Sequence, residues 1–495
     1  MSWVETKNLK VINLNDLQVL PIQDFREQLI KKIKEGNRLV QFFGNKETNG
    51  VYLYAVLADD NTSKLFINSC KFTNHNEYQS ITPEIPSAHL FEREFFEQYR
   101  IKPEGHPWLK PLRKGIEGID KDEPKYNFFS MMGEEIHEVG VGPIHAGIIE
   151  PGHFRFSCHG EKVYHLEIKL GFQHRGIENM FLNNDKKKNY LLNLSESIAG
   201  DSVIGHSGTL MRAIESLYNI SVSRRVKSIR TVMLELERIA MHLADLSALS
   251  GDIAYLTGNS VFGALRTKII NATMAICGNR FGRGMLKLGG VNFDVSQEVK
   301  NNLILLLNQI NDDVILAAEV LFSSVSVLER FEKTGVLKKE TAKELGIVGF
   351  AARASGFAVD IRSDHPFDIY KYFPVYKLNL DSGDVFARAY IRYIEIQQSI
   401  KIILEILSNI PSEDSTAGVT SIQPNSMVIS LAEGWRGEIS YAILTDNNGK
   451  IKRVKIKDPS FNNWLALSIA VRGEGISDFP ICNKSFNLSY AGHDL

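Results

Sequence analysis

The chain has 495 residues, 44% of them hydrophobic and 23% charged, and its formal net charge is -1. That length allows more than one domain, and the composition is that of an ordinary globular protein. The balanced charge supplies no basic surface for nucleic acid, the N-terminal MSWVETKNLK lacks the apolar core of a signal peptide, and no stretch approaches the roughly 18 apolar residues of a spanning helix.

Residues Ile22 to Glu35 place Phe25, Leu29, Ile30 and Ile33 on one helical face, and Gly36-Asn37 supplies a stop. Three strand-like runs follow: Arg38–Phe43, Val51–Leu57 with an Asn49-Gly50 turn before it, and Lys64–Cys70. Ser87 is placed to cap a helix that runs to Tyr99 and packs through Leu90, Phe91, Phe95 and Tyr99. The prolines of Gly105-His106-Pro107-Trp108-Leu109-Lys110-Pro111 rule out helix there. Lys114 to Glu135, rich in Gly, Lys, Asp and Glu, reads as a linker.

The second part opens near Val139, with strand-like runs Phe154–Cys158 and Tyr164–Leu170 around a His159-Gly160-Glu161 turn. From Tyr190 the pattern is mainly helical. Arg230–Leu246 carries Leu236, Ile239, Leu243 and Leu246 as one buried stripe. Asn301–Lys333, ended by Gly335, and Asp384–Leu407 are two further long helices. A strand pair, Gly437–Leu444 and Lys450–Ile456, is joined by Asn447-Asn448-Gly449, and Cys482 to Leu495 reads as a polar tail without helix. The four cysteines, Cys70, Cys158, Cys277 and Cys482, form no C-x-x-C pair, fit a reducing compartment and match no iron–sulfur pattern. Gly282-Arg283-Gly284 lacks the third glycine and the preceding strand of a dinucleotide-binding turn.

Ordered motifs cover nearly the whole chain. Glu92-Arg93-Glu94-Phe95-Phe96-Glu97-Gln98-Tyr99 followed by Gly105-His106-Pro107-Trp108-Leu109 resembles the signature of the 30-kDa subunit of respiratory complex I. Gly142-Pro143-Ile144-His145, Glu150-Pro151-Gly152-His153 and Gly171-Phe172-Gln173-His174-Arg175-Gly176 resemble the start of the 49-kDa complex I subunit and of formate-hydrogenlyase or hydrogenase-4-type large subunits. Glu235-Leu236-Glu237-Arg238-Ile239 with His242, Leu288-Gly289-Gly290-Val291, Arg353-Ala354-Ser355-Gly356, Asp360-Ile361-Arg362, Arg436-Gly437-Glu438 and Asp458-Pro459-Ser460-Phe461 continue the family's order. The resemblance implies an α+β fold. Residues 1–125 would form a small α/β domain of the 30-kDa type with its linker, and 126–495 a mainly helical nickel–iron-hydrogenase/49-kDa-like domain with a small β element.

A nickel–iron centre needs four thiolates from two C-x-x-C motifs, since soft ligands suit such a metal and hydroxyl or carboxylate replacements do not. The first motif's frame falls on Glu196 to His206, with Ala199 and Ser202 at the cysteine positions. The second is expected near Asp478 to Ser485, where Cys482 remains and Ser485 stands at its partner position. The expectation is that this chain holds no nickel and no other metal, and that the family's 4Fe-4S cluster sits in a small iron–sulfur partner subunit. In complex I the same cavity takes a quinone headgroup, a role open to this chain as well. Here the quinone-contacting His position falls on Ile149 and the Tyr position at about Gly200.

The candidate cavity residues are His145, His153, Asp201, His206, Asp252 and Arg436. Each has a plain alternative: the loop histidines can serve backbone carbonyls, Asp201 can cap the helix after it, and Arg436 can pair with an acid. Glu235, Arg238 and His242 share a helical face and read as an internal ion-pair network. The resemblance implies an electron-transfer subunit of an energy-converting complex, held through antiporter-like membrane subunits at the cytoplasmic face of the inner membrane. Any NADH would bind elsewhere in that complex. A non-catalytic scaffold and coupling subunit is the main competing reading, and a hydrogenase with unusual ligands the third.

Overall fold

The computed structural model describes residues 3–113, 126–147, 149–182, 190–412 and 421–495. Most of the expected linker, including its Lys114, lies outside them; of the rest, Tyr126 donates to the Glu167 carboxylate at 2.8 Å and ties that stretch to the second part.

The N-terminal part follows its local chemistry. The Ile22–Lys34 helix starts at Pro21, carries Lys31, Lys32 and Lys34 in its last turn where they oppose the helix dipole, and buries Phe25 and Leu29. It packs on a sheet ordered Val4–Thr6, Lys64–Phe72, Gly50–Asp59, Arg38–Glu47, antiparallel throughout, with Val19–Leu20 adding in parallel to Lys64–Phe72. The next helix is His89–Tyr99. A short 3-10 turn, Pro86–Ala88, leads into it and Ala88 occupies the cap position, so Ser87 does not cap it. The helix stops where Arg100 turns left-handed at φ 60°.

The charged residues of that helix explain the first signature. The buried Glu92 carboxylate accepts from Ser80 Oγ at 2.6 Å, Ile81 N at 2.9 Å and Thr82 N at 3.0 Å. Arg93 donates to the carbonyls of Lys110 and Pro111, each at 2.8 Å, and Glu97 accepts from Leu112 N at 2.8 Å. The proline-rich segment cannot satisfy its own carbonyls by helix formation, and the preceding helix does it instead.

The second part has a three-stranded antiparallel sheet, Lys162–Lys169, His153–His159 and Ile136–Val141; the last strand was missed by the sequence reading. Its centre is the Arg224–Asp252 helix, capped by Ser223 Oγ on Val226 N at 3.2 Å. This helix is buried on nearly every side rather than along one stripe, with Arg230, Glu235, Arg238 and His242 inside as well as its leucines. Leu256–Cys277 and Val385–Ser408 pack against it, and Gln297–Ser323 packs on those two helices. The expected Asn301–Lys333 helix breaks at Ser324, whose extended backbone separates Gln297–Ser323 from Val325–Phe331.

A four-stranded antiparallel sheet follows in the order Ile451–Lys457, Glu438–Thr445, Ser426–Glu433, Ile12–Asn13. Ser426–Glu433 is buried along its whole length, so it lacks the alternation that marks a half-exposed strand. The tail is helical and buried, correcting the expectation of a polar tail: Phe479–Phe486 has Pro480 at its start, and Tyr490–Asp494 is capped by Ser489 Oγ on Gly492 N at 2.9 Å.

The N-terminal and C-terminal parts share one interface. Arg38 and Lys457 both pair with the buried Glu438, at 2.8 and 2.6 Å. Gln41 reaches Ser440 Oγ at 2.6 Å, Lys455 pairs with Glu94 at 2.6 Å, and Phe91 packs on Phe461 at 5.1 Å between ring centroids.

Candidate functional site

The Ala199–Ser202 turn leads into the Val203–Leu217 helix. Its free N–H groups are not capped by Asp201 or Ser202. They are taken by Glu237, from the central helix, whose carboxylate accepts from Ile204 N at 2.7 Å and Gly205 N at 3.1 Å. Burial pushes the Glu237 carboxyl up to about 8, against the pull of those two N–H groups.

Asp201 is therefore free to pair elsewhere, and it meets Arg436. The two guanidinium nitrogens reach its two carboxylate oxygens at 2.6 and 2.7 Å, a bidentate ion pair. Trp435 Nε1 donates to the Asp201 carbonyl at 2.8 Å, and the Arg436 guanidinium lies 3.9 Å over the Trp435 ring. Arg436 Nε also donates to the Asn487 carbonyl at 2.6 Å. Asn487 Nδ2 reaches Asp245 at 2.6 Å, and Asp245 pairs with Arg392 at 2.8 Å. A continuous polar chain thus runs from the first degenerate motif to the C-terminal segment and the Val385–Ser408 helix.

His206 is fully buried just past the same turn, with Nε2 3.0 Å from Asp458 and Nδ1 3.2 Å from the Tyr441 hydroxyl. Burial raises Asp458, but His206, Arg436 and Ser460 together outweigh it and hold the carboxyl below its ordinary range.

The loop histidines are not brought to this pair. His145 Nε2 lies 2.7 Å from the Gly152 carbonyl and His153 Nδ1 3.0 Å from that of Gly142, so each ring closes its own loop. His153 Nε2 is buried without a partner. Asp252 stands exposed at the end of the central helix, with Lys484 in range of its carboxyl.

The expected second-motif residues make their contacts away from the Ala199–His206 turn. Cys482 and Ser485 are both buried, but they face the Val385–Ser408 helix: Arg388 Nε donates to Ser485 Oγ at 2.9 Å, and a Cβ placed on Gly335 would lie 2.7 Å from the Cys482 sulfur. Burial pushes the Cys482 thiol up to about 12 and Arg388 down to about 10. The segment that closes on the Ala199–His206 turn is Asn487 to Gly492. Arg436 binds the Asn487 carbonyl, Ser489 N donates to Ser460 Oγ at 2.9 Å, and a Cβ on Gly492 would lie 2.6 Å from the carboxyl carbon of Asp458, the partner of His206. Ser489 and Gly492 have the spacing of a C-x-x-C pair and no thiol. Among the described residues no group of three or more His, Cys, Asp and Glu is placed to hold a metal ion.

Sequence reading missed the residues that hold the site in place. Arg175 donates to the carbonyls of Ser197 at 2.7 Å and Ile198 at 3.0 Å, and its own N–H and that of Gly176 bind the Leu495 carbonyl at 2.8 and 3.1 Å. Asp494 accepts from Gly171 N at 2.8 Å and Gln173 N at 2.9 Å. The Gly171–Gly176 motif is a clasp between the first-motif turn and the chain's last residues. The network of Glu235, Arg238 and His242 is present as expected and extends to Arg353, Arg362, Glu395 and Glu433.

Comparison with known proteins agrees with this organisation. Residues 24–117 match the family model described as respiratory-chain NADH dehydrogenase, 30 Kd subunit, and residues 252–425 and 416–494 match that of the 49 Kd subunit. Formate hydrogenlyase subunit 5 of Escherichia coli (strain K12) is 29% identical over 93% of this chain and 85% of its own length. Hydrogenase-4 component G of the same organism is 27% identical over 91% of this chain and 83% of its own length. The fused C/D protein of the NADH-quinone oxidoreductase of Phocaeicola vulgatus is 28% identical over 93% of this chain and 96% of its own length. In fold, a chain of the membrane-bound sulfane sulfur reductase, an archaeal respiratory membrane complex, superposes with a TM-score of 0.68 at 23% identity, covering 74% of this chain and 100% of its own. The chain carries a 30-kDa-type and a 49-kDa-type domain of respiratory-chain NADH dehydrogenase, and is homologous to the formate hydrogenlyase, hydrogenase-4 and NADH-quinone oxidoreductase C/D proteins named above.

Proposed function

We propose that this chain is the large subunit of an energy-converting oxidoreductase complex and carries no nickel–iron centre of its own. The relatives named above supply the reaction class. The observation that carries the second half is the polar chain Asp201–Arg436–Asn487–Asp245–Arg392. It joins the first-motif turn to the C-terminal segment, where four thiolates would have to converge. Ala199, Ser202, Ser489 and Gly492 offer no sulfur, and the Cys482 thiol is packed against Gly335. These residues do not fit a thiolate-bridged metal pair.

No described helix is long and apolar enough to cross a membrane. On this reading the protein is peripheral, on the cytoplasmic face of the inner membrane, and held by antiporter-like membrane subunits. A small iron–sulfur partner, with a 4Fe-4S cluster, lies against the site. The part this chain plays in the complex is redox-linked coupling rather than hydrogen chemistry. A quinone-contacting role has one specific observation in its favour, the buried and unpartnered Nε2 of His153. The test is elemental analysis of the complex purified through a tag on this chain. Iron without nickel is expected; stoichiometric nickel would overturn the reading. For the quinone role, His153→Ala should lower quinone-dependent turnover at least tenfold, and unchanged turnover would leave only a coupling scaffold.

A further inference from the structure

Next to the Asp201–Arg436 pair lies a closed set of charged side chains, none more than 1% exposed. Three guanidiniums, Arg238, Arg353 and Arg362, face four carboxylates, Glu235, Asp360, Glu395 and Glu433. The neighbouring pairs Arg392–Asp245 and Lys377–Asp364 balance themselves. Full ionisation therefore leaves one negative charge in excess within a dry interior. Such a charge is unfavourable, and a single bound proton removes it.

Geometry selects the group that takes it. Glu235 accepts from Arg238, Arg362, Tyr370 and Ser399. Asp360 is held by Arg362 through both oxygens, and Glu395 by Arg353 and His242. Glu433 has the least support, one guanidinium nitrogen of Arg353 at 2.8 Å and Ile361 N at 3.1 Å. His242 is a poor alternative. Its Nε2 faces Glu395 at 2.9 Å, while Nδ1 is buried without a partner on a ring packed against Phe350 and Trp435, so an imidazolium would bury an N–H with no acceptor.

We propose that Glu433 is a proton-loading site of this protein, taking up and releasing one proton while the rest of the cluster stays ionised, with its charge state transmitted to Asp201. Burial and then Asp360 push the Glu433 carboxyl up, to about 7, against Arg353 and Arg238, and burial lowers His242 despite Glu395. The transmission path is short. Arg238 holds the carbonyls of Glu433 at 2.7 Å and Gly434 at 3.0 Å. Gly434 and Gly437 close a turn on each other at 2.8 and 3.1 Å. Trp435 and Arg436, inside that turn, are the residues that grip Asp201. The site stands on charge count and contacts, independently of the electron-transfer reading.

Difference infrared spectroscopy of the full chain, titrated from about pH 5 to 9, tests it. Protonated-carboxyl carbonyl bands are expected to fade with rising pH, those of Glu237 and Glu433 among them. Glu433→Gln should remove one band and leave the rest, including that of Glu237; Glu433→Asp should move it. Tryptophan emission should titrate with the Glu433 band, and Glu433→Gln or Trp435→Phe should abolish that response. A band set unchanged in both Glu433 variants would overturn the proton site, and emission flat across the titration would overturn its link to Asp201.

Discussion

Glu237 does from a neighbouring helix what a local Ser or Asp usually does: it satisfies the free N–H groups at a helix start. Glu237→Ala should leave Ile204 and Gly205 unpaired and cost about 1–3 kcal/mol, read by chemical denaturation. Its carboxyl is raised when folded, to about 8 from 4.5. The stability it contributes is then fully present below the unfolded value and is lost as pH rises through the folded one. The Glu237 contribution should fall from about pH 4.5 to 8, and the difference in stability between wild type and Glu237→Gln should change across that window. Gly492→Ala would drive a methyl into the Asp458 carboxyl, 2.6 Å away, and should cost about 1–3 kcal/mol in the same assay. At this scale the sequence reads unevenly. Residue types and motif order pointed to Asp201 and Arg436, which do meet. Glu237 stood unnoticed because its partners are 32 and 33 positions away and are backbone N–H groups, which carry no sequence signal. For His145 and His153 the sequence left a cavity role and a backbone-carbonyl role open, and the structure shows the carbonyls of Gly152 and Gly142 beside them.

Elements were legible where one face meets water. The Ile22–Lys34 helix buries Phe25 and Leu29 on one face and matches its expected bounds closely, while the N-terminal strands, buried over most of their length, were read from apolar runs bounded by turn residues. Fully buried elements were harder. Ser426–Glu433 has no polar face, and the Arg224–Asp252 helix hides arginines and glutamates among its leucines, so that periodicity understates its burial. The two C-terminal helices are short, and their first turns depend on Pro480 and Ser489 rather than on an apolar stripe. Capping separates two similar serines. Ser223 bonds Val226 N, so Ser223→Ala should lower stability by about 1 kcal/mol. Ser87 caps nothing, and Ser87→Ala should stay within about 0.5 kcal/mol, both measured from denaturant midpoints.

On the scale of the whole molecule, the two fused parts behave as one body because charge is buried between them. Glu438 belongs to the C-terminal sheet, yet one of its two cations, Arg38, belongs to the N-terminal one. Removing one member of such a buried set costs about 3–5 kcal/mol, so Arg38→Ala should lower the melting temperature of the entire chain. Calorimetry should show a single transition; two resolved transitions would mean that the parts unfold separately.

The strand Ile12–Asn13 pairs with Ser426–Met427, and Asn8 adds side-chain bonds to Leu431 in both directions, at 3.1 and 2.8 Å. During synthesis these first residues leave the ribosome long before their partners exist. At about 5–20 residues per second the wait is roughly 20–80 s. Throughout that time the start of the chain exposes an unpaired edge, and the Glu438 cradle for Arg38 has not yet been made. Folding of this protein is thus closed from its end backward, and a ribosome stalled before the last sheet would display an open N-terminal domain as a substrate for chaperones.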